Sequence, residues 1–274
     1  MKNNSEIENL GDLQRMHDTL EFDKKLKKKG TIREYIEALF TALLVAFFIR
    51  SFGVEAFKIP SGSMIPTLMV GDHIFVNKFI YGLRIPFTKK KLIHFKDPKR
   101  GEAIVFIYPL DESKDFIKRV IGLPGDVIKI DGDAISVNGQ PMLRDELKVE
   151  PNQTPDTRHI LVDAQVSLEN VAPEKKASIS AFPGWQDYNF FGEKTGDTEH
   201  FVQFDDRPNF EVGEIKVPEG HLFVMGDNRD NSSDSREWGF VPLENVKGRA
   251  MFIWLSLDYD HWSIRLDRFG KWIH

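Results

Sequence analysis

The stretch EAIVFIYP, Glu102 to Pro109, decides the fold class of this chain. Its centre, AIVFIY, is apolar at every position. A short run that is apolar on both faces is typical of a strand buried in the middle of a sheet. Other β-like runs lie on both sides of it: HIFVNKFI, DFIKRVIG, DVIKID, AISVNG, EIKVPEGHLFVMGDN and GRAMFIWLSL. We therefore predict a mainly β body with residues 103–108 as a central strand.

Turn residues separate several of these runs. Asp131-Gly132 and Asn138-Gly139 both lie between β-like segments. Asp-Gly and Asn-Gly pairs favour tight hairpin turns, because glycine and asparagine accept positive φ angles. We expect consecutive antiparallel strands around both pairs.

The composition narrows the functional classes. The chain has 274 residues, 41% of them hydrophobic and 29% charged, which suffices for one or two domains with real cores. A net charge of −5 argues against a nucleic-acid-binding protein. The absence of cysteine excludes thiol catalysis, disulfides and cysteine-zinc sites. The histidines show no metal-ligand spacing, so we expect neither a metal nor a cofactor.

The N-terminal part predicts a membrane anchor. The basic segment DKKLKKKGTIR precedes an uncharged apolar core, Ala38 to Ile49, and the flanking residues extend that core to spanning length at 35–56. A cleaved signal peptide is the alternative, but the polar preface 1–34 is longer than a usual n-region. The basic cluster places this tail in the cytoplasm and the remaining chain outside.

Residues 151–212 differ from the β-rich sequence around them. They carry eleven acidic and five basic side chains, a balance of −6, and their pattern is irregular. We interpret this segment as an inserted subdomain. It divides the β body into residues 57–150 and 213–274.

The segment FKIPSGSMIPTL, Phe57 to Leu68, has the composition of a stiff, bent loop. Pro60 and Pro66 fix φ and remove two backbone donors, and Gly62 permits φ angles that other residues avoid. Such a loop presents Ser61 and Ser63. A polar connector between strands remains the alternative at this point.

Lys118 is the strongest candidate for a base that could activate a serine. In DFIKRVIG, strand alternation puts Phe116, Lys118 and Val120 on one face, and burial on an apolar face lowers a lysine pKa. A neutral amine can then accept a proton from a serine hydroxyl. His73 is the nearest histidine to the serines in sequence, but it opens a strand after a Gly-Asp turn. An ordinary solvated lysine is the alternative for Lys118.

A third polar segment, GDNRDNSSDSREWGF, covers 226–240. It lacks the residue order of a calcium loop. If the loop began at Asp227, its third residue, a calcium ligand, would be Arg229, and if it began at Asp230, its sixth residue would be Ser235 instead of glycine. Asp234 and Arg236 supply an acid–base pair. Ser232 and Ser233 supply hydroxyls that could orient a neutral lysine amine.

Five segments together resemble the ordered boxes of bacterial type I signal peptidases: PSGSMIPTL, GDHIFVNK, KRGEAIVF, FIKRVIGLPGD and GDNRDNSSDSREWGFVP. The resemblance covers most of 57–131 and 220–256. It implies a signal-peptidase-type β-fold and a membrane-bound serine endopeptidase that removes signal peptides from exported preproteins after an Ala-x-Ala-type site. It also implies the inner membrane as location, with one span and the catalytic domain on the periplasmic face. Membrane lipid and the secretion machinery are further partners that the resemblance leads us to expect.

The resemblance assigns roles to individual residues. Ser63 is the nucleophile and Lys118 the general base, and the Ser61 hydroxyl and the Ser63 backbone N–H form the oxyanion hole. Ser232 orients the lysine amine. Asp227 and the Asp234–Arg236 pair support the site. The implied substrate-binding residues are Phe57, Ile59, Pro60, Met64, Leu68, Ile74, Val105, Phe116 and Ile117.

Two other functions compete with this interpretation. A self-cleaving repressor-type protease shares the β-fold and the dyad, but it would carry a DNA-binding helical domain and no membrane span. A membrane-tethered, non-enzymatic β-domain that binds peptides would not need the complete Ser63 and Lys118 set. Turnover of a preprotein with an Ala-x-Ala site distinguishes the three.

Overall fold

The computed structural model describes residues 15–18, 31–48, 53–84, 91–151, 159–163, 177–180, 188–205, 211–259 and 261–274. These residues belong to two compact units, Met1–Arg50 and Ser51–His274. Most of the predicted cytoplasmic tail lies outside the described residues.

The first unit contains one long helix, α1, at Thr31–Phe48. Its large apolar side chains between Tyr35 and Leu44 are 42–71% exposed. Within the described part of the chain, no helix combines the length and the apolar character that a membrane crossing requires. The predicted bounds 35–56 do not match the helix at either end. The helix begins at Thr31, and Val54 already belongs to a strand, because the backbone of Val54–Lys58 pairs with Asp72–Asn77.

The second unit is mainly β, as predicted. The helices described in this unit are short. They are α2 at Ser235–Trp238 and single 3₁₀ turns at Phe79–Tyr81, Arg229–Asn231, Leu243–Asn245 and Leu266–Arg268. The described strands, in chain order, are β1 Val54–Lys58, β2 Asp72–Asn77, β3 Gly82–Arg84, β4 Lys91–His94, β5 Ala103–Ile107, β6 Asp115–Gly122, β7 Val127–Asp131, β8 Ala134–Val137, β9 Gln140–Pro141, β10 Arg144–Pro151, β11 His159–Asp163, β12 Ala177–Ser180, β13 Tyr188–Thr195, β14 Thr198–Asp205, β15 Glu211–Lys216, β16 His221–Met225, β17 Val241–Pro242, β18 Val246–Asp258 and β19 Ser263–Ile264.

The largest sheet has the strand order β1-β2-β18-β5-β6-β16-β17, with β19 paired to β18. The predicted central strand is confirmed: β5 lies between β18 and β6, and its first four residues are buried. Its two faces pack into different core clusters, because Val105 belongs to one cluster while Ile104 and Phe106 belong to the other. Burial on both faces explains why this strand is apolar at every position.

Smaller sheets complete the second unit, with orders β15-β7-β8-β9, β12-β11-β10-β13-β14 and β3-β4. The predicted hairpins around 131–139 are confirmed. Asn138 and Gly139 have φ angles of 54° and 76° and form the two-residue turn between β8 and β9. The preceding turn consists of Gly132 and Asp133, one position later than the predicted pair, since Asp131 still pairs with Ala134.

The predicted bounds of the insertion, 151–212, do not coincide with breaks in the structure. Strand β10 runs across the first bound, and β15 runs across the second. Within the segment, β13 and β14 form a long hairpin, Tyr188–Asp205, whose buried residues contact the main body. One of the charged residues whose number suggested an inserted subdomain, Glu193, is buried in ion pairs that are described below.

Candidate active site

The Ser61–Thr67 turn connects β1 to β2 and carries the predicted nucleophile. The amide of Ile65 donates to the carbonyl of Gly62 at 3.1 Å, and Leu68 N–H donates to Met64 at 2.8 Å. The Met64 and Leu68 side chains have no exposed surface, so they anchor the turn in the core. Gly62 does not use its conformational freedom, since its φ lies outside the left-handed region. Instead it is closely approached by Ile65, whose Cδ1 lies 3.0 Å from the position of an added Cβ.

Lys118 contacts Ser63 directly. Lys118 lies on β6 opposite Ile104 of β5, and its Nζ donates to Ser63 Oγ at 2.5 Å. The two side chains belong to positions 55 residues apart in sequence, and both are buried, with 4% and 9% exposure. The predicted alternation is confirmed, because Lys118 Nζ lies 5.6 Å from the ring centre of Phe116.

The surroundings of Lys118 lower the pKa of its amine. Burial lowers its pKa from 10.5 to about 8, against the opposing influence of the Asp234 and Asp227 carboxylates. About a tenth of the amine is therefore unprotonated at pH 7, far more than for a solvated lysine. An unprotonated amine at 2.5 Å can accept the proton of the serine hydroxyl.

His73 has different neighbours. It is half-buried on β2, with its Nδ1 3.1 Å from the carbonyl oxygen of Gly71. Its ring packs edge-on against Trp254 at 5.7 Å between centroids. These contacts are those of a packed sheet residue.

The segment Gly226–Asn228 lies against the Ser61–Thr67 turn. Asn228 N–H donates to the Ser63 carbonyl and the Asn228 side-chain amide to the Gly62 carbonyl, both at 3.1 Å. A Cβ added to Gly226 would lie 2.3 Å from both the Ser63 carbonyl oxygen and Ser232 Oγ. Ser232 is thus a close neighbour of the turn, with 8% exposure. Only glycine fits at position 226, between Ser232 and the serine turn.

Asp234 and Arg236 form the predicted pair. Asp234 caps the N-terminus of α2, and its Oδ1 accepts from Arg236 Nε at 2.8 Å. Its Oδ2 accepts from Gly226 N–H at 3.0 Å. The pair therefore fixes both the start of α2 and the segment that contacts the serine turn.

Asp227, named above as a supporting residue, forms a buried ion pair with Arg119, which the sequence analysis did not name. Arg119 Nε and Nη2 donate to the two carboxylate oxygens of Asp227 at 2.8 and 2.7 Å, and neither side chain is exposed. Thr67 Oγ1 donates to the same carboxylate at 2.5 Å. Burial alone would raise the pKa of Asp227, but the Arg119 guanidinium holds it below its usual range. Strand alternation puts Arg119 on the face opposite Lys118, which is a signal that sequence reasoning could have used.

A second buried pair, Glu193 with Arg229, was not predicted. The Arg229 guanidinium donates to both Glu193 oxygens, and Arg144 Nε donates to Oε2 at 2.7 Å. His200 Nε2 lies 3.4 Å from Glu193 Oε1. Burial would raise the pKa of Glu193, but the Arg229 and His200 side chains hold it well below its usual range. Burial and the Arg119 charge lower the pKa of His200, so this ring is neutral.

The predicted substrate-binding residues fall into two groups. Five lie in one core cluster with at most 2% exposure and pack beneath the site: Ile59, Met64, Leu68, Ile74 and Val105. Phe57 and Ile117 are half-buried against that cluster. Phe116 is half-buried beside Phe106, and Pro60 is exposed, as is Ser61.

Among the described residues, no group of three or more His, Asp or Glu side chains could hold a metal ion. The groups that surround Ser63 are an amine, hydroxyls, backbone amides and buried ion pairs. This set supports acyl transfer through a serine nucleophile.

The comparisons with known proteins agree with this chemistry. Residues 32–255 match the family described as signal peptidase, peptidase S26. A signal peptidase I from Pseudomonas fluorescens is 40% identical over 244 residues, which cover 85% of this chain and 76% of that protein. A signal peptidase I from Aquifex aeolicus is 36% identical, covering 82% of this chain and 85% of that one.

A crystal structure of a signal peptidase I from Enterococcus faecalis covers 57% of this chain and 97% of that one, at 24% identity. The TM-score between the two structures is 0.28. The sequence relationships are sufficient by themselves: the chain belongs to the peptidase S26 family of signal peptidases and is a serine endopeptidase.

Proposed function

We propose that this chain cleaves N-terminal signal peptides from exported preproteins by a Ser63–Lys118 dyad. Lys118 takes the hydroxyl proton of Ser63 as Oγ attacks the scissile carbonyl carbon. The lysine then gives that proton to the leaving amine, and an acyl-enzyme remains on Ser63. Water, deprotonated by the same lysine, hydrolyses the ester and restores the serine.

The single observation that carries this proposal is the 2.5 Å contact between Lys118 Nζ and Ser63 Oγ in a buried setting. A solvated lysine would stay protonated and could not act as a base at neutral pH. Burial lowers the pKa of Lys118 to about 8, close to the operating range of a general base.

The negative charge that develops on the carbonyl oxygen needs donors. We assign this role to the Ser63 backbone N–H and the Ser61 hydroxyl, which belong to the same turn. Each such donor contributes about 3–4 kcal/mol to the stabilisation of the transition state. The contacts of Asn228 with the Gly62 and Ser63 carbonyls support the assignment, because they restrain the turn that carries both donors.

Ser232 is proposed to orient the lysine amine. Its Oγ is buried next to Gly226 and the Ser63 carbonyl. The Asp234–Arg236 pair holds the segment around it through the bond from Gly226 N–H to Asp234. Asp227 supports the other side of the turn through Thr67.

An extended substrate fits by strand addition. β1 is the terminal strand of its sheet, so one backbone edge of Val54–Lys58 faces away from β2. On β6, the pairing with β16 involves residues from Arg119 onwards, and within the described chain Asp115–Lys118 pair on one side only, with β5. We propose that the preprotein pairs with backbone near 57–60 and 115–118 and so brings its scissile bond to Ser63.

The half-buried Phe57, Phe116 and Ile117 are proposed to form the surface of two shallow apolar pockets. The buried cluster of Ile59, Met64, Leu68, Ile74 and Val105 packs beneath them. Such pockets accept small side chains at the first and third positions before the cleaved bond, which gives an Ala-x-Ala preference. A rigid, fully packed floor rejects a larger side chain by overpacking.

Membrane attachment remains part of the proposal. The basic segment 24–33 followed by the apolar sequence 38–49 supports a single anchor with a cytoplasmic N-terminus and a periplasmic catalytic unit. The Ser51–His274 unit also has exposed apolar side chains near its C-terminus, notably Trp262 at 94% and Trp272 at 63%. Tryptophan favours the membrane–water interface, so we propose that this surface rests on lipid.

The test is cleavage of a preprotein with an Ala-x-Ala site in detergent, followed by mass spectrometry of the products. We expect wild type and His73→Ala to cut after the second alanine, and Ser63→Ala and Lys118→Ala to be inactive. Activity in Lys118→Ala, or its loss in a folded His73→Ala variant, would rule out the dyad. Wild-type protein that binds the preprotein without cutting it would indicate a peptide-binding domain instead.

A further inference from the structure

The Tyr188–Asp205 hairpin lies behind the segment Asp227–Asn231, on the side away from Ser63. Gln203 N–H donates to the Asp227 carbonyl at 3.0 Å, and Gln203 forms a bridge with Asn228. Further along, Asp205 N–H donates to Asp230 Oδ2 at 2.8 Å. The segment is therefore tied to the hairpin at several successive residues.

The same segment contacts the serine turn with its other side. Asn228 donates to the carbonyls of Gly62 and Ser63, and Asp227 accepts from Thr67. A displacement of 227–231 thus moves the turn that carries Ser63. The segment 227–231 thus forms a single layer of backbone between the hairpin and the serine turn.

Glu193 is the strongest connection between the hairpin and this layer. It is 1% exposed, and its two oxygens receive both terminal nitrogens of Arg229. A bidentate guanidinium–carboxylate contact fixes orientation as well as distance. The Arg229 carbonyl in turn accepts from Arg236, the partner of Asp234. The turn end of the hairpin packs closely against the residues before β5, since a Cβ added to Gly101 would lie 2.4 Å from the Thr195 carbonyl oxygen.

We propose that Glu193 is a positioning residue for catalysis, which acts through Arg229 and Asn228 on the carbonyls of the serine turn. The inference rests on the proposed function, because it deepens the account of the Ser63 site. It gives the 188–205 region, which sequence composition predicted to be an accessory insertion, a part in holding the nucleophile. Glu193 touches no reacting atom in this account.

The test compares Glu193→Gln with the matched control Glu199→Gln in the full-length protein. Glu199 lies on the same hairpin, opposite Lys194 rather than next to Arg229. We expect Glu193→Gln to lower kcat for the preprotein about 100-fold, as displacements of about 1 Å do, with KM within about twofold of wild type. Glu193→Asp should recover a part of kcat, and Glu199→Gln should match wild type. All rates are measured below the melting temperature of each variant.

A double variant separates positioning from simple destabilisation. If Glu193 acts through Arg229, Glu193→Gln combined with Arg229→Met should lose no more than about threefold beyond the worse single variant. Multiplicative losses would overturn the pathway. A folded Glu193→Gln variant with wild-type kcat, or one in which only KM rises, would overturn the positioning role and leave a structural ion pair.

If Glu193→Gln does not fold, Asp230→Ala tests the same layer at its half-buried rim. We expect its kcat to fall about threefold to tenfold with an unchanged KM, and an unchanged kcat would count against the proposal. A failure of the proposed function looks different. In that case wild type and Ser63→Ala would cut the preprotein equally, whatever the Glu193 variants do.

Discussion

Gly226→Ala is the sharpest steric test of the site geometry. The φ of Gly226 lies outside the left-handed region, so alanine is compatible with its backbone conformation. The added methyl group would lie 2.3 Å from both the Ser63 carbonyl oxygen and Ser232 Oγ. Carbon–oxygen contacts need at least about 3.3 Å, so the turn or the 226–228 segment must move by about 1 Å.

A movement of this size has two separable consequences. Displacement of the nucleophile by about 1 Å costs about 100-fold in kcat. Overpacking of a buried site costs about 1–3 kcal/mol in the free energy of unfolding. We therefore expect a folded protein of somewhat lower stability that has lost most of its turnover.

Two other glycines provide the controls for this variant. Gly213→Ala meets no atom within 4 Å and should change neither kcat nor stability. Gly248→Ala would bring its Cβ to 2.4 Å from the Asn77 carbonyl in the sheet, so it should lower stability with much less effect on kcat. The assay is preprotein turnover beside thermal unfolding. A Gly226→Ala variant with wild-type kcat would refute the close approach of Gly226, Ser63 and Ser232.

Three further predictions concern specificity, stability and the membrane. A preprotein with Phe in place of Ala before the cut should be cleaved at least about 100-fold more slowly because of overpacking, and equal rates would contradict the pockets at Phe57 and Ile117. Lys118→Met should raise the free energy of unfolding at pH 7 by up to about 3 kcal/mol, because burial lowers the pKa of Lys118 from 10.5 to about 8. That gain is complete below about pH 8 and should disappear as the pH rises to 10.5, and denaturant titrations at both ends of the window check it. The Ser51–His274 unit alone should float with anionic lipid vesicles and Trp262→Ser should weaken this, whereas full solubility in their presence would contradict a lipid-facing surface.

The strands and the apolar surroundings of Lys118 could be predicted because their signals are local. AIVFIY identifies β5 by burial on both faces, and DFIKRVIG puts Lys118 on an apolar face by simple alternation. Glycine and asparagine with positive φ identify the hairpin turns near 132 and 138. The pairing of Ser63 with Lys118 came from the resemblance of the ordered sequence boxes, and the two side chains are in direct contact in the structure.

The buried ion pairs could not be predicted in the same way. Arg119 and Asp227 are 108 positions apart, and Glu193 and Arg229 are 36 apart. No periodicity connects such residues, and a charged side chain in sequence is usually a solvated one. The Tyr188–Asp205 hairpin therefore had the composition of an inserted subdomain, although its Glu193 is a buried ion-pair partner of Arg144 and Arg229.

The pH dependence of kcat/KM tests the central claim most directly. If Lys118 is the general base, only its neutral form supports attack by Ser63. The rate should then rise about tenfold per pH unit in acid and level off above a pKa of about 8. Lys118 titration by carbon-detected NMR of the Ser63→Ala protein should give a similar pKa. A profile that stays flat from pH 5 to 9, or one that levels off near pH 6.5 as a histidine base would, contradicts the Ser63–Lys118 dyad.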